Sequence, residues 1–202
     1  MSHPHHRRPS AWKRQTAIAS RWLHIYLSMI SFGIVLFFAV TGLTLNHAEW
    51  FASEARTTEL KGKMDMKWFG KDVDKLDIVE YIRRVHGVKS GLSDFHVDDS
   101  QCEVSFKGPG YSADTFIDRA TGEYQLTITR QGLVAVLNDL HKGRDTGTVW
   151  AWIIDICSGL MTLISLTGLI LIFFLQKRRM AGLIAIAIGS ALCLAVYWIW
   201  VP

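Results

Sequence analysis

The sequence predicts a membrane α-helical protein with three spans and a small extracytoplasmic α+β domain. Half of the 202 residues are hydrophobic, and three runs contain no Asp, Glu, Lys or Arg: residues 25–45, 156–175 and 181–202. At about 1.5 Å per residue, each run covers the roughly 30 Å hydrocarbon core of a bilayer. A soluble helix of this length would carry a polar face, and these runs have none. The first run is also too long for the apolar core of a cleaved signal peptide.

The charges on the connecting segments predict the orientation. Five basic residues precede the first run and Lys177, Arg178 and Arg179 separate the other two, with no acidic residue in either place. The segment 46–149 carries 14 basic and 17 acidic residues. Because short basic flanks stay in the cytoplasm, the N-terminus is predicted inside, with segment 46–149 and the C-terminus in the periplasm of a Gram-negative host. This places the chain in the inner membrane as a multi-pass protein. Its net charge of +4 reflects topology and does not indicate nucleic-acid binding.

The segment between the first two spans is predicted to be a linker followed by a compact module. Asp74 precedes a helical pattern of apolar residues, which Gly87 ends. After Gly91 the pattern changes to alternation, with Phe116-x-Asp118 as its last example before a turn at Gly122, which indicates three or four strands. Helical spacing returns from residue 131. The linker has no clean period and leaves room for one strand.

These patterns give the following predicted organisation. The segments are 1–22 (cytoplasmic basic tail), 23–47 (first span), 48–71 (interfacial linker), 72–130 (α+β domain), 131–148 (return helix and loop), 149–176 (second span), 177–180 (cytoplasmic loop) and 181–202 (third span).

Several motifs resemble those of PepSY-associated transmembrane proteins. The stretches DKLDIVEYIRRVHGV and FIDRATGEY look like a PepSY domain, and the flanks RWLHIYLSMISFGIVLFFAVTGLTLNH and LNDLHKGRDTG resemble the family's membrane segments. The resemblance implies a PepSY-like domain between spans. Larger members are similar to inner-membrane ferric-siderophore reductases, in which b-type haem lies between histidines at the span ends. This chain has three spans where those have four or more.

Two histidines are predicted as axial ligands of a haem b. His47 ends the first span, and His141 ends the helix that returns the chain to the membrane, so topology brings both to the outer surface. Two neutral imidazoles from neighbouring helices suit a low-spin haem, and Gly42 and Gly159 would let the facing spans approach. No Cys-x-x-Cys-His motif is present, so the haem would be held non-covalently. The alternative for His47 is an interfacial histidine bonded to headgroups or Asn46.

His24 lies at the opposite end of the first span, roughly 35 Å from His47 at about 1.5 Å per residue. It is predicted either as a ligand of a second haem or as an ordinary residue of the interfacial aromatic belt, beside Trp22 and Tyr26. No other span supplies a histidine there. A second ligand would come from a partner copy or from the tail residues His3, His5 and His6. Small residues in the inner half of the span favour a homodimer: Ser28, Ser31 and Gly33.

Asp155 is the one acidic residue within a span, which makes it a functional candidate. It is predicted to accept the free N–H of a ligating imidazole or to pair with Arg144. Arg144 and Lys142 are also candidates for binding haem propionates.

Two functions remain open. The first is an inner-membrane b-type haem electron-transfer subunit, acting on a ferric chelate or a periplasmic redox partner, as one component of a membrane reductase whose electron donor the sequence does not identify. The second is a non-redox PepSY interaction module that binds or restrains a peptidase or other envelope protein. Motifs for phosphate loops, zinc proteases and dinucleotide binding are absent from the sequence.

Overall fold

The computed structural model describes residues 11–70, 72–175 and 177–202. The tail histidines His3, His5 and His6 lie outside the described residues. Within these ranges the helices are α1 (Ala11–Asn46), α2 (Lys75–His86), α3 (Leu133–Lys142), α4 (Gly147–Phe174) and α5 (Arg179–Trp200). The strands are β1 (Arg56–Lys63), β2 (Gly91–Val97), β3 (Gln101–Gly108), β4 (Tyr111–Asp118) and β5 (Glu123–Arg130). Two 3-10 helices flank β1, at Ala48–Glu54 and Met66–Phe69.

Three of the described helices are long and apolar enough to cross a membrane. They are α1, α4 and α5, with 36, 28 and 22 residues, and an 18-residue window within each has a mean hydropathy of 2.2. Helix α1 contains the first charge-free run, and α4 and α5 cover the second and third to within two residues, so the predicted fold class is confirmed. Helix α1 begins at Ala11 and therefore includes Lys13, Arg14 and Arg21, upstream of the apolar run.

The chain divides into two units. Leu36–Ile154 holds the C-terminal end of α1, the sheet, α2, α3 and the start of α4; the other unit combines the chain up to Val35 with Asp155–Pro202. In the latter unit, α5 has no buried residue. Its apolar side chains are therefore free to contact lipid.

The domain is built on a five-stranded antiparallel sheet in the order β1-β5-β4-β3-β2. The edge strand β1 pairs with β5 over its full length, from Arg56 opposite Arg130 to Lys63 opposite Glu123. It lies within the segment predicted as a linker. Its sequence, RTTELKGK, contains one apolar residue, which suits an edge strand with little buried surface.

Helix α2 covers one face of the sheet, and the core lies between them. Asp74 caps its N-terminus by accepting from the Asp77 N–H at 3.1 Å, and Gly87 ends it with φ of 66°, as the sequence predicts. The core side chains include Ile78 and Ile82 from the helix. Facing them are the fully buried sheet residues Val104, Phe106, Ala113, Ile117 and Leu126.

The alternation expected at Phe116 and Asp118 is correct in period but belongs to the open face of the sheet. Phe116 is 48% exposed, whereas Thr115 and Ile117 are fully buried. Phe116 is a large apolar residue, so the sequence pattern indicates its side of the strand as the buried one. The residues that are in fact buried include Ala113 and Thr115, which are too small or too polar to reveal the buried face from the sequence.

The turn between β3 and β4 packs against α3. The Gly110 N–H donates to Asp139 Oδ2 at 2.9 Å, and the Gln131 N–H donates to the Gly110 carbonyl at 2.8 Å. A Cβ at Gly110 would lie within 3 Å of the Val136 side chain, and its φ is 64°. Glycine is therefore required at this turn.

Candidate functional site

His141 is fixed against the C-terminal half of α1. Its Nδ1 lies 2.6 Å from the hydroxyl oxygen of Thr41, a residue that is 2% exposed. Its ring lies edge-on to Phe38 with centroids 4.9 Å apart, and a Cβ on Gly42 would lie 3.7 Å from its Cε1. We call His141 with Phe38, Thr41 and Gly42 the His141 site. Nδ1 and one face of the ring are thus in contact with protein.

A second hydrogen bond joins the same two helices one turn away. The Thr44 hydroxyl donates to Asn138 Oδ1 at 2.7 Å, and Asn138 is buried. Residues three apart lie on one face of a helix, so Asn138 and His141 meet Thr44 and Thr41 in antiparallel register. This pair of contacts sets the position of α3 on α1.

His47 has different neighbours. Its ring stacks on Trp50, with centroids 4.0 Å apart and an interplanar angle of 11°. Its Nδ1 lies 3.6 Å from a Glu49 carboxylate oxygen, and its side chain is 32% exposed. Within the unit 36–154, no hydrogen bond or ring contact joins His47 to His141. Their ligation of one haem stays a prediction.

His24 makes a contact of the same kind as His141. Its Nδ1 lies 3.2 Å from the Ile164 carbonyl and 3.2 Å from the Thr167 hydroxyl oxygen. A Cβ on Gly168 would lie 3.0 Å from its Cε1. We call His24 with Ile164, Thr167 and Gly168 the His24 site. The ring packs on α4 of its own chain. His24 therefore makes specific contacts that an ordinary residue of the interfacial aromatic belt, as predicted from Trp22 and Tyr26, would not need.

Two cavities lie near these sites. One, of about 390 Å³, has apolar walls that include Leu45, Phe51 and Val134, and it is also lined by Lys142 and Arg144. The other, of about 560 Å³, lies between α1 and α4 and is lined by Leu23, Leu163 and Thr167 among mostly apolar neighbours. In the first cavity, apolar walls lie next to two cationic side chains and the carboxylate of Asp139, whose Oδ2 accepts the Gly110 N–H. Among the described residues, the second cavity has no charged residue in its lining.

Asp155 is exposed on α4, and within its own unit no described side chain forms a hydrogen bond or ion pair with it. Its two predicted roles, as acceptor for an imidazole N–H and as partner of Arg144, stay predictions. Ser31, expected at a dimer face, is 3% exposed because its own chain covers it. A methyl group added at Gly33 would meet no described atom within 4 Å, so that face of α1 is open.

The expectation that Gly42 and Gly159 serve the close approach of two spans is corrected. Gly42 faces the His141 ring, and a Cβ on Gly159 would meet no described atom within 4 Å. The tripeptide Thr41-Gly42-Leu43 recurs as Thr167-Gly168-Leu169, and sequence reasoning missed that a histidine lies against the threonine of each copy. The repeat itself was the available signal.

The described residues contain no group of three or more His, Cys, Asp or Glu side chains able to hold a bare metal ion. Haem iron needs one or two protein ligands, since the porphyrin provides the other four. At His141 and His24 the Nδ1 atom is engaged by an oxygen and Nε2 has no hydrogen-bond partner among the described residues. Metal-ligating histidines are held through their other ring nitrogen in this way, so these two side chains fit the role of haem ligands, and haem binding itself stays a prediction.

The other two described histidines belong to the domain. His86 Nε2 lies 2.8 Å from the Tyr124 hydroxyl, and burial lowers the pKa of His86. Burial, followed by the neighbouring Tyr81 hydroxyl, raises the pKa of Tyr124 to about 12. His96 is exposed and pairs with Asp98 at 2.8 Å. These contacts are consistent with structural roles.

The fold defines an integral membrane protein with an α+β domain between its first two spans. A family model described as "Putative PepSY_TM-like" matches residues 18–202, and the chain belongs to this family. The predicted relation to PepSY-associated transmembrane proteins is therefore confirmed. No curated protein and no solved structure matches the chain.

Proposed function

We propose that this chain is a b-type haem subunit of the inner membrane that passes electrons outward to a ferric chelate or a periplasmic redox partner. The observation that carries the proposal is the His141 site. A histidine that only anchors a helix needs one hydrogen bond, whereas this ring also packs on Phe38, faces Gly42 and has no hydrogen-bond partner at Nε2 among the described residues.

Each side chain has a defined part in the proposal. His141 and His47 are the ligands proposed at the domain end of α1, and His24 is the ligand proposed near its N-terminal end. Lys142 and Arg144 would bind the propionates from the wall of the 390 Å³ cavity. Asp155 is retained as a proposed acceptor for an imidazole N–H. The haem, when bound, supplies one-electron redox chemistry.

The direction of transfer depends on the proposed topology. The excess of eight basic residues on the short flanks supports a cytoplasmic N-terminus and a periplasmic domain. A phosphatase fusion at Lys107 is expected to be active and one at Arg178 inactive. The reverse pattern would overturn the orientation while leaving haem binding to be judged separately.

Absorption spectroscopy tests the proposal. The full chain, produced with excess haem and purified in detergent, is expected to show a Soret band that shifts on reduction, as low-spin b-type haem does. His141→Ala and His47→Ala should each lose this spectrum or become five-coordinate. His96→Ala is the matched control, because it removes an exposed domain imidazole and leaves the proposed ligands in place.

Three outcomes would count against the proposal. A colourless wild-type chain with an intact fold would overturn haem binding. Unchanged low-spin spectra in both His141→Ala and His47→Ala would overturn the ligand pair. Loss of the spectrum in His96→Ala would show that the effect is not specific to the proposed ligands.

One observation favours the alternative function, a non-redox interaction module. Helix α2 covers a single face of the sheet, and Phe116 stands half-exposed on the other face. The outer edge of β1 also has no strand partner within the described sheet, which suits strand addition by a peptide. A colourless chain would leave this function as the proposal to pursue.

A further inference from the structure

The two Thr-Gly pairs of the sequence hold histidines in the same way. Thr41 contacts Nδ1 of His141, and Thr167 contacts Nδ1 of His24. The neighbouring glycines, Gly42 and Gly168, face Cε1 of the same rings, where an added Cβ would lie 3.7 and 3.0 Å away. At both sites the threonine provides an oxygen at Nδ1 and the glycine faces the ring edge, although only at Gly168 would an added Cβ be crowded by the ring. The histidines come from different helices, so a shared helix-packing motif does not account for the match.

The hydrogen-bond partners determine where the imidazole proton lies. The Thr41 hydroxyl lies 2.6 Å from the Phe37 carbonyl, to which it donates its only proton. Its oxygen is then available to Nδ1 of His141 only as an acceptor. At the second site the Ile164 carbonyl, 3.2 Å from Nδ1 of His24, is an acceptor by nature. The Thr167 hydroxyl donates to that same carbonyl at 2.8 Å, so its oxygen also accepts. Both Nδ1 atoms must therefore carry the proton.

We propose that Thr41 and Thr167 are positioning residues that hold His141 and His24 as the Nδ1–H tautomer, with the Nε2 lone pair free to bind a metal. The ligand part of this inference rests on the function proposed above. The tautomer part does not, because it follows from contacts within the chain alone.

The two sites differ in how much they depend on threonine. Thr41 provides the one acceptor at Nδ1 of His141 among the described residues. Nδ1 of His24 has two acceptors, and removing the Thr167 hydroxyl leaves the Ile164 carbonyl in place. In Thr41→Val, His141 should therefore be able to adopt either neutral tautomer. In Thr167→Val, His24 should keep its proton on Nδ1.

Nitrogen NMR of the haem-free full chain tests this directly. The protein is labelled with ¹⁵N-histidine, reconstituted in bilayers and measured near pH 8, where an ordinary imidazole is neutral. The variants His141→Ala and His24→Ala assign the two signals. In the wild type both residues are expected to show a protonated Nδ1 and an unprotonated Nε2.

The substitutions then separate the sites. Thr41→Val should abolish the exclusive Nδ1–H signal of His141, and Thr41→Ser should retain it. Thr16→Val is the matched control, since Thr16 also lies on α1 and its hydroxyl donates only to the Trp12 carbonyl of its own helix. A wild-type His141 protonated at Nε2, or a Thr41→Val chain with an unchanged His141 signal, would overturn the inference. Because the chain contains no haem in this experiment, a colourless protein in the spectroscopic test leaves this result unaffected.

Discussion

Asn138 and Thr44 form a hydrogen bond of 2.7 Å between α3 and the end of α1, one turn from the contact between His141 and Thr41. The bond joins residues 94 positions apart in the sequence. It brings the helix that leaves the domain back to the helix that enters it.

The first prediction concerns this bond. Asn138→Ala removes this bond, but the Thr44 hydroxyl keeps the Thr41 carbonyl as an acceptor at 3.0 Å. The packing of α3 is therefore expected to be destabilised by about 0.5–1.5 kcal/mol. Faster hydrogen exchange of the α3 amides in the full chain would show it. Asn46→Ala, on the exposed surface of α1, is the control and should leave exchange unchanged. Equal exchange in both variants would contradict the prediction.

The second prediction compares two glycines. A methyl at Gly42 would lie at 3.7 Å from His141 Cε1, an ordinary contact, so Gly42→Ala should be neutral or stabilise the helix by up to about 1 kcal/mol. At Gly168 the corresponding distance to His24 Cε1 is 3.0 Å, so the ring must move. In Gly168→Ala, overpacking against the ring should cost about 1–3 kcal/mol and so cancel the gain in helix propensity. Thermal unfolding in detergent measures the order; a Gly168→Ala chain more stable than Gly42→Ala would refute it.

The third prediction concerns the turn at Gly110. Alanine there must adopt a positive φ and also meet the Val136 side chain. We expect Gly110→Ala to cost about 2–5 kcal/mol, the sum of backbone strain and overpacking. Gly108→Ala is the matched control, since its methyl would lie 3.6 Å from Ser90 Cβ. Chemical denaturation of the domain within the full chain should separate the two variants.

The fourth prediction is an acid sensitivity of the domain. Burial disfavours the charged imidazole and lowers the pKa of His86 below 6.5. The unfolded chain then binds the proton more readily than the folded one. This contribution to stability is fully present above about pH 6.5 and is lost as the pH falls through the folded-state pKa.

Denaturation midpoints between pH 7.5 and 5 are expected to fall in the wild type. The slope should be smaller in His86→Gln and unchanged in His96→Gln, which alters an exposed histidine. A slope that persists in full without His86 would assign the effect to other groups.

The fifth prediction lies at the alkaline end. Burial and the Tyr81 hydroxyl raise the pKa of Tyr124 to about 12, so its neutral form is favoured in the folded state. Its contribution to stability is therefore present below about pH 10 and is lost as the pH rises towards 12. Tyrosinate absorbance should show one tyrosine ionising later than the others, and Tyr124→Phe should remove that late step.

Much of the fold could be predicted from local patterns. The charge-free runs identified the spans, and Asp74 and Gly87 marked both ends of α2, because a capping carboxylate and a left-handed glycine act within one turn. Strand β1 was harder to recognise, since an edge strand with one apolar residue carries little periodic signal. The pairing of His141 with Thr41 and of His24 with Thr167 spans 100 and 143 residues, so no local pattern reports it.

Helix α3 makes specific contacts on two sides. Asp139 accepts the N–H of Gly110 in the β3–β4 turn, and His141, two residues on, bonds to Thr41 of α1. Both contacts therefore depend on the position of the same ten-residue helix. A molecule that binds the domain and displaces this helix changes the free energy of the His141 contact. Thermodynamic reciprocity then requires that occupancy at His141 change the affinity for that molecule by the same factor.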